Sequence, residues 1–206
     1  VKSSIYVFEY QLNKYGSKYR INSNNSFLLG YSMGGNTAIN ISLLKPNMFK
    51  GMLLAAPMIG ISETVKPHWL LIECLKYWLY LLPSFGAWKI IPTPDVTPYL
   101  SRNQKYTDMV VKSPTRYTER VRLSTGMVLV DINEKLTKKY THVELPFLIM
   151  HGKDDKITDP NLSIKFYHKA ASKLKYIKVY KNTQHLLLNE QPLCIQDSNN
   201  FMNELL

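Results

Sequence analysis

Cysteine is nearly missing: a chain of 206 residues carries two, Cys74 and Cys194. They lie far apart in apolar stretches, which excludes a disulfide framework and reads as two free core thiols. Histidine is sparse and scattered, with five residues, and no His, Cys, Asp or Glu grouping has metal-ligand spacing. Neither a metal nor a cofactor is expected. A clean apolar run of about 20 residues, enough to span a bilayer, is also missing. The most apolar stretch, 68–91, is broken by Glu73, Lys76 and Pro83. Acidic residues are the minority charge, 15 against 26 Lys and Arg, for a formal net charge of +11. That sign suits nucleic acid, an anionic membrane or an anionic substrate. The lysines are dispersed and no nucleic-acid motif accompanies them, so nucleic acid is set aside as a partner. There are no internal repeats. The chain opens on Val1 in mid-flow, where a targeting segment would not show.

What is present is enough length and apolar content for one domain with a real core. Apolar runs of strand length at 27–29, 49–57 and 145–152 are continuous, as in parallel strands covered on both faces. A fourth run, 174–180, alternates as an outer strand does. Val1, Ile5, Phe8, Leu12 and Tyr15 recur at helical spacing, with Gly16 as a stop. Helical patterns also fit 37–44, 118–140, 161–173 and 192–206, whereas 108–117 reads as loop. Strands alternating with helices give the fold class: α/β, with four mostly parallel strands and flanking helices. The alternation is interrupted at 58–125, so the chain divides into 1–57, an inserted 58–125, and 126–206, within one domain overall. The insertion is rich in aromatics, among them Trp69, Tyr77, Trp78, Tyr80, Phe85 and Trp88. Two readings fit it, a core helix pair or an exposed apolar cap able to touch lipid.

The chemistry gathers around Gly30-Tyr31-Ser32-Met33-Gly34-Gly35. A strand, a Gly-x-Ser-x-Gly turn and a helix are the setting in which a serine hydroxyl is held up as a nucleophile. The turn is expected to strain the serine backbone, with Gly30 and Gly34 leaving room for the chain to cross itself. The pentapeptide alone arises by chance in roughly one chain in fifteen of this length. Two further loops at carboxyl ends of strands strengthen it, one holding Asp154 and Asp155, the other His185. Serine, acid and histidine in that order supply a nucleophile, a carboxylate to orient an imidazole, and a base to take the serine proton. Spacing leaves Asp154 and Asp155 as rivals for the acid.

These segments resemble the monoacylglycerol lipase and lysophospholipase branch of the α/β-hydrolases. GYSMGG is similar to that family's GHSMGG elbow, with Tyr31 in place of histidine. LPFLIMHGKDDKITDP resembles its acid segment, KVYKNTQHLLLNE its histidine loop, and LSRN with the stretch near Asp108 its cap. The resemblance implies Ser32 as nucleophile, Asp155 as acid, His185 as base, Asp159 as a structural helix-entry residue, and the Met33 N–H as an oxyanion donor. It implies hydrolysis of an ester of a single-acyl lipid through an acyl-enzyme, with Trp69, Trp78, Phe85 and Trp88 lining the acyl path and the cap making peripheral membrane contact. Acyl transfer, hydrolysis of a short soluble ester and a non-catalytic lipid- or partner-binding role are the alternatives. The family has a further stretch ahead of the segment matched by Val1, with the first strands and a second oxyanion donor. The expectation is therefore a fragment or truncated product, with the serine strand at a bare sheet edge and weak activity on its own.

Overall fold

A computed structural model describes residues 1–19, 22–60, 68–91 and 95–206, with Trp69 described for its backbone alone. In chain order the elements are α1 (Lys2–Tyr15), β1 (Phe27–Tyr31), α2 (Met33–Leu44), β2 (Gly51–Ala55), α3 (Trp69–Leu81), α4 (Gln104–Val111) and α5 (Leu123–Thr137). Then follow β3 (Phe147–Gly152), α6 (Pro160–Lys169), β4 (Lys175–Tyr180), the one-turn α7 (Leu187–Glu190) and α8 (Leu193–Leu205). The strands form one sheet in the order β1-β2-β3-β4, and every neighbouring pair is parallel.

The continuous apolar runs have a simple cause. Every residue of β2 and β3 is buried, and the two-residue period sends their side chains alternately to opposite faces. Met52, Leu54, Phe147 and Ile149 join one cluster with Ile5 of α1, Ile39 of α2, Leu136 of α5 and Phe166 of α6. Leu53, Ala55, Leu148 and Met150 join the other, with Leu187 of α7 and Cys194 and Phe201 of α8. Helices therefore cover both faces, as parallel strands require. β1 and β4 are the edges. On β1, Leu28 packs against the first cluster, while Leu29 is 63% exposed. The serine strand is thus an edge of this four-stranded sheet.

The described part of the region between β2 and α5 is buried on one side and exposed on the other. Ile72 of α3 packs with Leu123 and Met127 of α5 in a small satellite core. The outer side of α3 leaves Leu70, Leu71, Tyr77, Trp78, Tyr80 and Leu81 exposed. No helix among the described residues is long and apolar enough to cross a membrane.

Several expectations need correction. Residues 108–111 are the last turn of α4 and not loop. The Asn103 side chain accepts from the Lys105 N–H at 3.1 Å and caps this helix, and Gln104 donates to Asp108 one turn on at 2.7 Å; such local pairs sustain a short helix. α6 ends at Lys169, because Ala170 is already extended at φ −65°, ψ 140°. Gly16 does follow the last residue of α1 as its C-cap, as expected, with right-handed helical angles of φ −57° and ψ −48°. Cys194 is buried but Cys74 is exposed, since Cys74 falls on the outward side of α3.

The crossing at the elbow depends on Gly30 and Gly35, not Gly34. A Cβ on Gly30 would lie 2.7 Å from the Gly34 carbonyl oxygen and 2.7 Å from the Gly35 Cα, and one on Gly35 would lie 2.4 Å from the Pro57 Cβ. A Cβ on Gly34 meets nothing within 4 Å. Gly35→Ala is expected to destabilise by about 1–3 kcal/mol through overpacking, lowering Tm by several degrees. Gly34→Ala should hold or raise Tm, because alanine is the better helix former by up to about 1 kcal/mol. Thermal melts of the two variants check the contrast, and equal losses would contradict it.

Candidate active site

Ser32 directly follows the edge strand and is the N-cap of α2 with φ 51° and ψ −122°. A positive φ is uncommon outside glycine and strained for a side chain. The surroundings hold it there. The Ser32 N–H donates to the Ala55 carbonyl at 3.0 Å, and its own carbonyl accepts from Gly35 at 2.9 Å and Met58 at 2.8 Å. α2 begins immediately at Met33, four residues ahead of the first position that the periodicity marks. The Met33 N–H is thus at the first helical position, where amides have no partner within the helix and the helix dipole favours negative charge.

His185 lies in the loop after β4 and is buried. Its Nε2 is 3.1 Å from Ser32 Oγ, and its Nδ1 is 2.8 Å from Asp155 Oδ2. An ionised carboxylate only accepts, so Nδ1 carries the proton and Nε2 is left to accept from the serine hydroxyl. Residues more than 150 positions apart in the chain are brought into one hydrogen-bonded series.

The two candidate acids part company here. Asp154 forms a solvent-facing ion pair with Arg102 at 2.7 Å. Asp155 turns inward, where Oδ1 accepts from the Ile157 and Thr158 amides at 2.8 and 3.0 Å. Its Oδ2 accepts from Thr158 Oγ1 at 2.8 Å as well as from His185. Burial by itself would raise this carboxyl's pKa. Hydrogen bonds from His151 and His185, the charge of His185 and the Thr158 amide outweigh it and hold the group well below the usual carboxylate range. Asp159 plays the helix-entry part, its carboxylate accepting from the Asn161 N–H at 2.9 Å ahead of Pro160 at the start of α6.

Four further contributors emerge only in the structure. Tyr31, the residue that departs from the elbow motif, donates from its hydroxyl to the His185 carbonyl at 2.6 Å. Glu190 accepts from Gln184 N at 2.7 Å, Ser101 Oγ at 2.7 Å and the Arg102 amide, fastening the LSRN segment, residues 100–103, to the histidine loop. The Leu186 amide adds a bond to the Leu100 carbonyl at 2.8 Å. Thr158 touches both the acid and the histidine, its Oγ1 lying 3.4 Å from His185 Nδ1. His151, inside the HGxxD pattern, contacts the acid from the other side; its position four residues before Asp155 across a turn was the available clue.

Of the aromatic cap residues, Trp78, Phe85 and Trp88 form a row, with ring centroids 6.4 Å apart for the first pair and 4.2 Å for the second. Trp78 and Trp88 are about half exposed, at 53% and 52%. The side chain of Trp69 lies outside the described residues. Among the described residues no cluster of His, Cys, Asp and Glu could hold a metal ion.

The sequence profile described as "Serine aminopeptidase, S33" matches residues 11–192. The chain is 27% identical over 168 residues to caffeoylshikimate esterase of Arabidopsis thaliana, covering 81% of this chain and 50% of that protein. It is 27% identical over 166 residues to monoglyceride lipase of Rattus norvegicus, covering 81% of this chain and 53% of that protein. It thus spans about half the length of these curated relatives. A crystal structure of a soluble variant of monoglyceride lipase from Saccharomyces cerevisiae, in complex with a substrate analog, matches with a TM-score of 0.78 at 19% identity, over 99% of this chain and 68% of that one. That likeness shows the fold, the sheet and covering helices of a partial α/β-hydrolase. With the profile spanning most of its length, the chain belongs to the serine aminopeptidase S33 family of α/β-hydrolases.

Proposed function

We propose that this protein is a serine hydrolase acting on carboxylic esters of single-acyl lipids, such as a monoacylglycerol or a lysophospholipid. The observation that carries the reading is the series Ser32 Oγ, His185 and Asp155, with contacts of 3.1 and 2.8 Å. Ser32 attacks the ester carbonyl while His185 Nε2 takes its proton. The Met33 N–H donates to the developing oxyanion, a contact of a kind worth on the order of 10²–10³ in rate. Collapse of the tetrahedral intermediate expels the alcohol, which receives the proton back from His185. Water activated by the same imidazole then hydrolyses the acyl-enzyme. Asp155 stabilises the imidazolium without taking its proton. This scheme uses no cofactor or metal.

Three features support the lipid side. The family includes relatives named monoglyceride lipase, the outer face of α3 is apolar and exposed, and the net charge of +11 favours anionic surfaces. The likeness to a caffeoylshikimate esterase supports a second reading, hydrolysis of a soluble, non-lipid ester by the same groups. In the lipid reading, segment 58–125 is a cap that meets the membrane and leads the acyl chain to Ser32.

A fluorophosphonate probe should label the protein, and Ser32→Ala should abolish labelling; labelling that survives the substitution would sink the mechanism. Because Asp155 is held below the usual carboxylate range, the acid limb of kcat/KM between pH 5 and 8 should have the slope of one proton, and a two-proton slope would contradict the assignment. Trp78→Ala and Trp88→Ala should lower turnover of long-chain monoacylglycerol in micelles several-fold and leave a short soluble ester unchanged. Equal effects on both substrates would favour the second reading.

Asp155 also makes a stability prediction. A carboxyl whose folded pKa is depressed contributes stability above its unfolded pKa, about 4, and loses it as pH falls toward the folded value. The stability advantage of the wild type over Asp155→Asn should be full above about pH 5 and should shrink progressively below about pH 4. Urea unfolding at several pH values reads this directly, and a constant or growing gap in acid would refute it.

A further inference from the structure

His151 is fully buried on β3, on the same face as Phe147 and Ile149, in the apolar layer beneath α6. An imidazole buried there is costly unless its nitrogens are satisfied. Both are. Nδ1 lies 2.8 Å from Ser163 Oγ on α6. Nε2 lies 3.3 Å from Asp155 Oδ2, 3.2 Å from Thr158 Oγ1 and 3.3 Å from the Thr158 carbonyl.

The chemistry of these partners sets the tautomer. A carboxylate and a carbonyl oxygen face Nε2, and both only accept, so Nε2 carries the proton. Nδ1 then accepts from the Ser163 hydroxyl. The titratable groups against the ring are Asp155 directly and His185 through Thr158 Oγ1, which touches both imidazoles. The series of polar contacts therefore runs past the three residues of the proposed mechanism: Ser163 Oγ, His151, Asp155, His185, Ser32 Oγ.

We propose that His151 is a positioning residue for this site, holding Asp155 Oδ2 toward His185 from the side opposite the serine. The inference rests on the serine-hydrolase reading and deepens it. The terminal torsion of an aspartate is soft. With Oδ1 held by two backbone amides and Oδ2 by His185, Thr158 and His151, neither oxygen is free to swing. Ser163 in turn fixes the ring that does the holding. A side chain that merely fills the core needs none of these polar contacts.

The experiment compares His151→Gln, whose amide nitrogen reaches the place of Nε2, with His151→Leu, which fills the space without a donor. His151→Leu should lower kcat and the fluorophosphonate labelling rate by about 10- to 100-fold, the usual size for a supporting partner, with KM within about twofold. His151→Gln should restore most of that loss. Ser163→Ala, which leaves the ring but frees its orientation, should fall between them and stands in if His151→Leu does not fold. Ring-nitrogen NMR of histidine-labelled protein gives a reading independent of turnover. His151 should appear with a proton on Nε2, the nitrogen that faces Asp155. The His185 ring shifts should move in His151→Leu and stay in place in His151→Gln. Equal labelling of wild type and His151→Leu, or a His151 without a proton on Nε2, would overturn the proposal. A wild type that the probe never labels at Ser32 would overturn the hydrolase reading instead, and the His185 shifts would then decide alone whether His151 holds Asp155.

Discussion

The site depends on keeping one carboxylate ionised inside the protein. Removing the Asp155 charge from water costs several kcal/mol. A hydrogen bond to a charged group returns about 1.5–3 kcal/mol, so the number of donors decides the outcome. Asp155 accepts from four, two amides, one hydroxyl and the His185 imidazole, and the His151 ring stands 3.3 Å from Oδ2. The balance favours the ion, which agrees with a pKa held below the usual range. Around that ion the rest is arranged. It selects the Nδ1–H tautomer of His185, and that tautomer is what leaves Nε2 open to Ser32.

The parallel sheet explains why these groups meet. β1, β3 and β4 all point the same way, so the loops after them emerge at one rim, where open α/β sheets gather their chemistry. Sheet order alone would leave β1 and β4 far apart, with β2 and β3 between them. The span is closed from above. Tyr31 reaches from the end of β1 to the His185 carbonyl, and Glu190 ties the histidine loop to the LSRN segment. Gly152 allows the loop to pass close overhead, since a Cβ there would lie 2.4 Å from the Thr183 carbonyl oxygen.

The strand rim is rich in hydrogen bonds, whereas the outer side of α3 is a large apolar surface with Trp78 and Tyr80 exposed. α5 links the two regions. Its Asn133 accepts from Asn36 of α2 at 3.1 Å in a buried side-chain pair, so the helix that begins behind Ser32 also supports the inserted region. A change in the packing of that region would therefore be felt one helix away from Ser32.

Much of this was legible from residues alone. The continuous runs at 49–57 and 145–152 had to be strands covered on both faces, because an apolar residue at every position suits no half-exposed strand. The elbow, the order serine, acid, histidine, and the outer place of 174–180 were likewise local patterns. Three things were not local. Asp154 and Asp155 are one position apart and chemically identical, and only the direction of the chain after β3 sends one to Arg102 and the other to His185. Gly34 and Gly35 look interchangeable until Pro57 is packed against one of them. His151 reads as the end of an apolar strand until α6 and the turn at Thr158 close around it. Composition and periodicity determine which segments are strands and which faces are buried, because burial is repetitive along a chain. Which atom faces which across a distance of 150 residues is decided by tertiary packing, where a single residue's rotation exchanges one partner for another.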